Sequence, residues 1–84
     1  MKKSINDDIG YIEGHGYGKS MIKHIDKTHY ETIEGAITAK QTLVDQFESQ
    51  FGYCRYMESF DYNYSSAVGM LDALREHKDG QGKG

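Results

Sequence analysis

Two stretches of the chain carry apolar side chains at alternating spacings of three and four, and this pattern limits the fold more than any other feature. The first runs through Tyr30, Ile33, Ile37, Lys40, Val44, Phe47 and Phe51, with Lys40 its one polar member. The second runs through Met57, Phe60, Tyr64, Ala67, Leu71 and Leu74. Such spacing sets every member on one face of an α-helix, whereas a strand would need alternation by two. The chain has no proline, the residue that most strongly breaks a helix interior. Thr28 and Glu31 form a capping box, Gly52 stands where a helix stop is expected, and Arg75, His77 and Lys78 suit the negative end of a helix dipole. The pattern predicts a helix over 28–51 and another over 55–78, with its start near Tyr53 or near Ser59. A bend near Gly52–Arg55 folds them into an antiparallel hairpin. Phe47 then faces Phe60, Val44 faces Tyr64, and Ile37 faces Leu71. Lys40 faces Ala67, whose small side chain lets the lysine stem run along the seam to water.

The rest of the chain is less regular. Residues 1–19 hold Gly10, Gly14, Gly16 and Gly18, a density that reads as loop because glycine loses most backbone entropy on ordering. Ser20 opens a short helix over 20–27 with Met21, Ile22 and Ile25 inward, and residues 79–84 read as a frayed tail. The expectation is one all-α domain over 1–84: an antiparallel helical hairpin, a short N-terminal helix and a Gly-rich N-terminal loop. At 84 residues with one cysteine, Cys54, no internal disulfide braces the fold, so oligomerisation is expected to complete it.

Charge and hydropathy narrow the partners. Ten basic and 13 acidic residues leave a net charge of −3, too balanced for a general nucleic-acid binder and too weak for a DNA mimic. No apolar run approaches the roughly 20 residues that span a bilayer, and the start lacks the apolar core of a signal peptide. A lone thiol fits a reducing compartment. A cytoplasmic location is expected.

Each predicted helix also carries a second face of small residues off the seam. Gly35 lies four residues before Ala39, and Gly69 lies four from both Ser65 and Ala73. Small residues at this spacing let helix backbones approach closely. They read as a contact surface for another helix, from a second copy or a protein partner, or as solvent positions where small residues are tolerated. The N-terminal segment, through Ile9, Ile22 and Ile25, is a third candidate for the missing wall. Tyr62 falls off the seam, is expected to be exposed, and with Arg55 resembles a protein-binding hot spot.

Gly18-Lys19-Ser20 ends like a nucleotide-binding P-loop, but Glu13 stands where that motif needs its first glycine, and no buried strand precedes it. A weaker reading has free N–H groups at the start of the short helix. Gly16, Gly18, Lys19, Ser20 and Lys23 would then hold a small anion or a nucleotide phosphate, against a plainer reading as a solvated lysine face. His15, His24, His29 and His77 lack metal-ligand spacing, Cys54 reads as a small turn residue, and no catalytic constellation is legible. No metal, cofactor or enzymatic activity is expected.

The segment from Tyr64 to Asp79 is similar to the C-terminal helix of small accessory proteins of T7-like tailed bacteriophages, through Tyr64, Ser65, Ala67, Val68, Leu71 and Asp72. The resemblance implies a phage or mobile-element origin and action in the host cytoplasm; it transfers no functional residue. The expected function is that of a non-enzymatic, oligomeric protein-binding module, with an inhibitor of a host enzyme or defence system as its concrete form. The alternatives are an oligomeric binder of a small anionic or nucleotide ligand through residues 14–27 and a structural virion component.

Overall fold

The computed structural model describes residues 1–28 and 32–82. Its elements are strand β1 (Lys3–Ser4), a 3-10 turn (Ile5–Asp7), helix α1 (Ile9–Thr28), helix α2 (Ile33–Phe51), strand β2 (Tyr56–Met57) and helix α3 (Tyr62–Gly82). The chain is all-α apart from two short strands, and α2 and α3 form the expected antiparallel hairpin.

The N-terminal glycines are not in a loop. The loop expected over 1–19 and the short helix expected over 20–27 are parts of one helix, α1. Asp8 starts it: its carboxylate accepts from Gly10 N–H at 3.0 Å and its carbonyl from Ile12 N–H at 3.1 Å, as an N-cap residue should. Gly10, Gly14 and Gly18 are buried at four-residue spacing, so they form one stripe on the helix. That stripe faces α3. A Cβ at Gly10 would strike Ser65 Oγ; one at Gly14 would strike the Ser66 carbonyl; one at Gly18 would lie 2.7 Å from Ala73 Cβ and 2.9 Å from the Met70 carbonyl. From the other side, a Cβ at Gly69 would strike the Tyr11 carbonyl and lie 2.7 Å from His15 N. Both series of numbers rise together, so α1 and α3 run parallel with their backbones in direct apposition.

Helix α2 packs on α3 in the opposite sense. Glu48 meets Tyr64, and Glu34 meets Lys78. The predicted start at Thr28 does not hold, because Thr28 is the last residue of α1. Thr32 caps α2, its hydroxyl accepting from Gly35 N–H at 2.9 Å. Tyr30 and Glu31 lie outside the described residues. At the other end Gly52 takes the left-handed conformation (φ 71°) and donates to the Glu48 carbonyl at 3.0 Å, as expected of a C-terminal glycine.

Helix α3 starts at Tyr62 rather than Arg55, because residues 55–57 are engaged elsewhere. Lys3 pairs with Met57 and Ser4 with Tyr56 in an antiparallel ladder, and Ile5 N–H donates to the Arg55 carbonyl at 2.9 Å. Asp61 caps α3, accepting from Tyr64 N–H on its side chain at 3.1 Å and from Ser65 N–H on its carbonyl at 2.9 Å. The helix then runs through Asp79 and Gly80, where a frayed tail was expected, to Gly82. Phe47, expected beside Phe60, sets its ring against Tyr64 at 6.0 Å.

Helix α3 is thus the central element, with α1 along one side and α2 along another. It is buried from Tyr64 to Gly69 and at Leu71, Ala73 and Leu74. One core cluster joins Ile5, Val44, Tyr64, Ala67, Val68 and Leu71; a second, between the last turns of α1, the first turn of α2 and α3, joins Ile22, Ile25, Ala36 and Leu74. Ser65 and Ser66 are buried without penalty, since their hydroxyls donate to the Tyr62 and Asn63 carbonyls at 3.2 Å.

These contacts separate the glycines. Gly14→Ala and Gly69→Ala each push a methyl group into opposed backbone and are expected to destabilise the fold by about 2–3 kcal/mol. Gly16 has nothing within 4 Å of its Cβ position, so Gly16→Ala is expected to stabilise by about 0.5–1 kcal/mol. Urea unfolding of dilute protein measures all three.

Candidate functional site

Two groups of polar side chains lie along the α1–α3 contact. Tyr11 donates its hydroxyl to Asp72 Oδ2 at 2.7 Å. Arg55 reaches the same carboxylate with two parallel hydrogen bonds of 2.9 and 2.8 Å, the strong fork geometry of guanidinium and carboxylate. One turn further along both helices, His15 Nε2 lies 3.1 Å from the Glu76 carboxylate. Burial alone would raise the Asp72 pKa, but the hydrogen bonds from Arg55 and Tyr11 outweigh it and hold the carboxyl below its ordinary value. The Asp72 hydrogen bond pushes the Arg55 pKa up. Burial, and then the Asp72 carboxylate, pushes the Tyr11 phenol up. The trio therefore stays charged, charged and neutral near pH 7, and it ties the α2–α3 connection to both helices.

Two further tyrosines use their hydroxyls in the same way. Tyr64 donates to Glu48 at 2.8 Å and is pushed up first by burial. Tyr62 donates to Glu13 at 2.7 Å, and that hydrogen bond is the chief reason its pKa is pushed up to about 12.

The second notable feature is an aromatic ledge where α2 ends. Phe51 and Tyr53 stack with ring centroids 5.3 Å apart, Phe47 lies 6.2 Å from each, and Tyr53 lies 5.3 Å from Tyr64. Gly52 makes this arrangement, because its left-handed turn reverses the chain so that Tyr53 folds back beside Phe51. Phe51 is 60% exposed although it continues the seam pattern of α2. A hollow of about 210 Å³ opens beside it, lined by Leu43, Gln46, Phe47, Gln50 and Phe51, with no charged residue. Another hollow, of about 280 Å³, lies between α2 and α3 and is lined by Ile37, Arg75, Lys78 and Asp79. Its cations are engaged: Arg75 binds Gln41, and Lys78 lies 3.8 Å from Glu34.

The residues singled out from sequence fall in different places. Ser65, Gly69 and Ala73 do face another helix, but that helix is α1 of the same chain, and they are buried. Gly35 and Ala39 are exposed on α2. Arg55 is half exposed and clasped to Asp72, while Tyr62 is 48% exposed. Gly16, Gly18, Lys19, Ser20 and Lys23 do not stand at a helix start. They lie inside α1, where backbone N–H groups bond the preceding turn rather than a ligand, and Gly18 is covered by Met70 and Ala73. Cys54 is exposed, with its thiol donating to the Tyr56 carbonyl at 3.0 Å. Among the described residues no group of three or more His, Cys, Asp or Glu side chains is placed to hold a metal ion, and no helix is long and apolar enough to cross a membrane. The ledge was the feature sequence reasoning missed. Its signal was Phe47, Phe51 and Tyr53 around a helix-stop glycine.

The clamp has a pH signature. The Asp72 pKa is lower in the folded chain than in the unfolded one, so its contribution is present above the unfolded value and is lost as pH falls through the folded one. Asp72→Asn is expected to cost about 1–2 kcal/mol at pH 7, toward the lower end for a charged hydrogen bond because Arg55 is half exposed. The penalty should shrink below about pH 4. Urea midpoints of both proteins from pH 7 down to pH 3 check this.

Comparison of the chain with protein-family models, with curated proteins and with solved structures finds no match.

Proposed function

We propose that this chain acts without chemistry of its own, as a small helical module that binds another protein through the ledge at the end of α2. The observation that carries this reading is the exposed Phe51 beside an uncharged hollow. A hydrophobic side chain left in water at the edge of a stacked aromatic group suits a desolvated binding anchor. The hollow, about 210 Å³, is below the roughly 300–1,000 Å³ usual for small-molecule sites. It suits one or two apolar side chains of a partner, with Gln46 and Gln50 as neutral hydrogen-bonding groups at its rim. The polar groups along the α1–α3 contact have their members bound to one another, which favours a structural part for them over a reactive one.

The resemblance of α3 to phage accessory proteins gives this reading its concrete form. The partner to test first is a bacterial host enzyme or defence factor, bound and blocked in the host cytoplasm.

Phe51→Ala removes the anchor from a position already in water, so the fold is expected to persist, with unchanged helical circular dichroism. Affinity capture from a bacterial lysate should retain a protein on the wild-type chain. The Phe51→Ala chain should retain at least about tenfold less of it. The same captured set on both chains would refute the ledge as the binding site.

A further inference from the structure

We propose that the outer face of α1 is a self-association surface, through which two copies of the chain pair antiparallel about a two-fold axis near Gly16. Ile9, Ile12, Glu13, Gly16, Lys19, Ser20 and Lys23 recur at helical spacing and form one stripe. It lies on the side of α1 opposite Gly10, Gly14 and Gly18, which face α3. Every member is exposed. Ile9 is 69% and Ile12 is 58% exposed, large aliphatic side chains left in water. Tyr62 borders the stripe through its hydrogen bond to Glu13.

Gly16 needs an explanation that the single chain does not supply. The other three glycines of α1 are required by the approach of α3. A Cβ at Gly16 would meet nothing within 4 Å, and an exposed glycine within a helix is unfavourable. A second helix crossing at Gly16 makes the small residue useful, because two backbones can then approach there as α1 and α3 already do.

The charges along the stripe select the occupant. The first half carries Ile9, Ile12 and Glu13, with Asp8 beside it; the second half carries Lys19 and Lys23. A copy running in the same direction would set like halves together. A copy running in the opposite direction about Gly16 sets the lysine half of each chain over the isoleucine and acidic half of the other. The lysine stems can cover Ile9 and Ile12 while their ammonium groups reach toward Glu13 and Asp8. The stripe is therefore complementary to itself, as a two-fold interface requires.

The test uses the full chain with Cys54→Ser, so that the native thiol cannot link copies. Sedimentation equilibrium at about 100 µM is expected to give a dimer. Gly16→Glu sets two carboxylates against each other on the axis, and Lys19→Glu with Lys23→Glu sets acid against acid. Each is expected to raise the dissociation constant at least about tenfold with helical circular dichroism retained. Orientation is read by mixing Ile9→Cys chains with Lys23→Cys chains under mild oxidation: disulfides between unlike chains are expected to exceed those between like chains. A wild-type monomer at that concentration assigns the face to some other partner and overturns the proposal. So does a dimer indifferent to Gly16→Glu, or a predominance of like-chain disulfides.

Discussion

The direct apposition of α1 and α3 is the interaction on which the rest of the structure depends. Gly10, Gly14 and Gly18 meet Ser65, Ser66, Met70 and Ala73, and Gly69 meets the backbone of Tyr11 and His15. With only small side chains such as Ser65 and Ala73 at the contact, the two backbones lie close along several turns, and many small dispersion contacts accumulate. The intrinsic preferences of α1 oppose this outcome. Each glycine within a helix is unfavourable by about 1 kcal/mol relative to alanine, so α1 alone would be a poor helix. It is a helix because α3 is beside it, and in return α1 covers the small-residue face of α3. Neither element is explained by itself.

Parallel helices must be joined by a long return, and α2 supplies it. Their starts therefore lie together at one end of the molecule, where the chain places its fastening. The β1–β2 pairing brings the N-terminal residues to the α2–α3 connection, with Ile5 fully buried beneath. Arg55, from that connection, grips Asp72 of α3, which also receives Tyr11 of α1. One carboxylate thus fixes three segments far apart in sequence. At the opposite end Ile22 and Ile25 of α1 pack with Ala36 of α2 and Leu74 of α3, and Lys78 lies 3.8 Å from Glu34.

The hairpin was legible because its signal is a repeated pattern over many residues. Tyr64, Ala67, Leu71 and Leu74 are all buried, and Val44 lies at the seam. The first third of the chain was misread because glycine counts toward a loop on local grounds. The overriding information was its spacing: glycines at positions 10, 14 and 18 repeat by four, as do Ser65, Gly69 and Ala73. Both stripes were needed to see one contact. Asp8 and Asp61, the caps of α1 and α3, were visible in the sequence, but caps only mark helices that tertiary packing has already favoured. The Arg55–Asp72–Tyr11 trio had no sequence signal, since its members come from three elements. The exposure of Phe51 was hidden by periodicity, which says which residues share a face and not whether the neighbouring helix is long enough to cover it.

The internal use of the small faces leaves two outer surfaces with different chemistry. That of α1 is divided into an apolar, acidic half and a basic half, which suits a copy of itself. The ledge of α2 is aromatic and uncharged, which suits an apolar segment of another protein. The two lie on different helices, each packed against α3, so occupying one does not use up the residues of the other. A dimer formed through α1 would carry two ledges. If a partner or an assembly of partners presents matching segments within reach of both, the second contact becomes intramolecular, and binding tightens with no additional contact per site. On this argument the exposed glycine of α1 serves the ledge on α2: close pairing of two small domains offers avidity that a single ledge of this size could not supply.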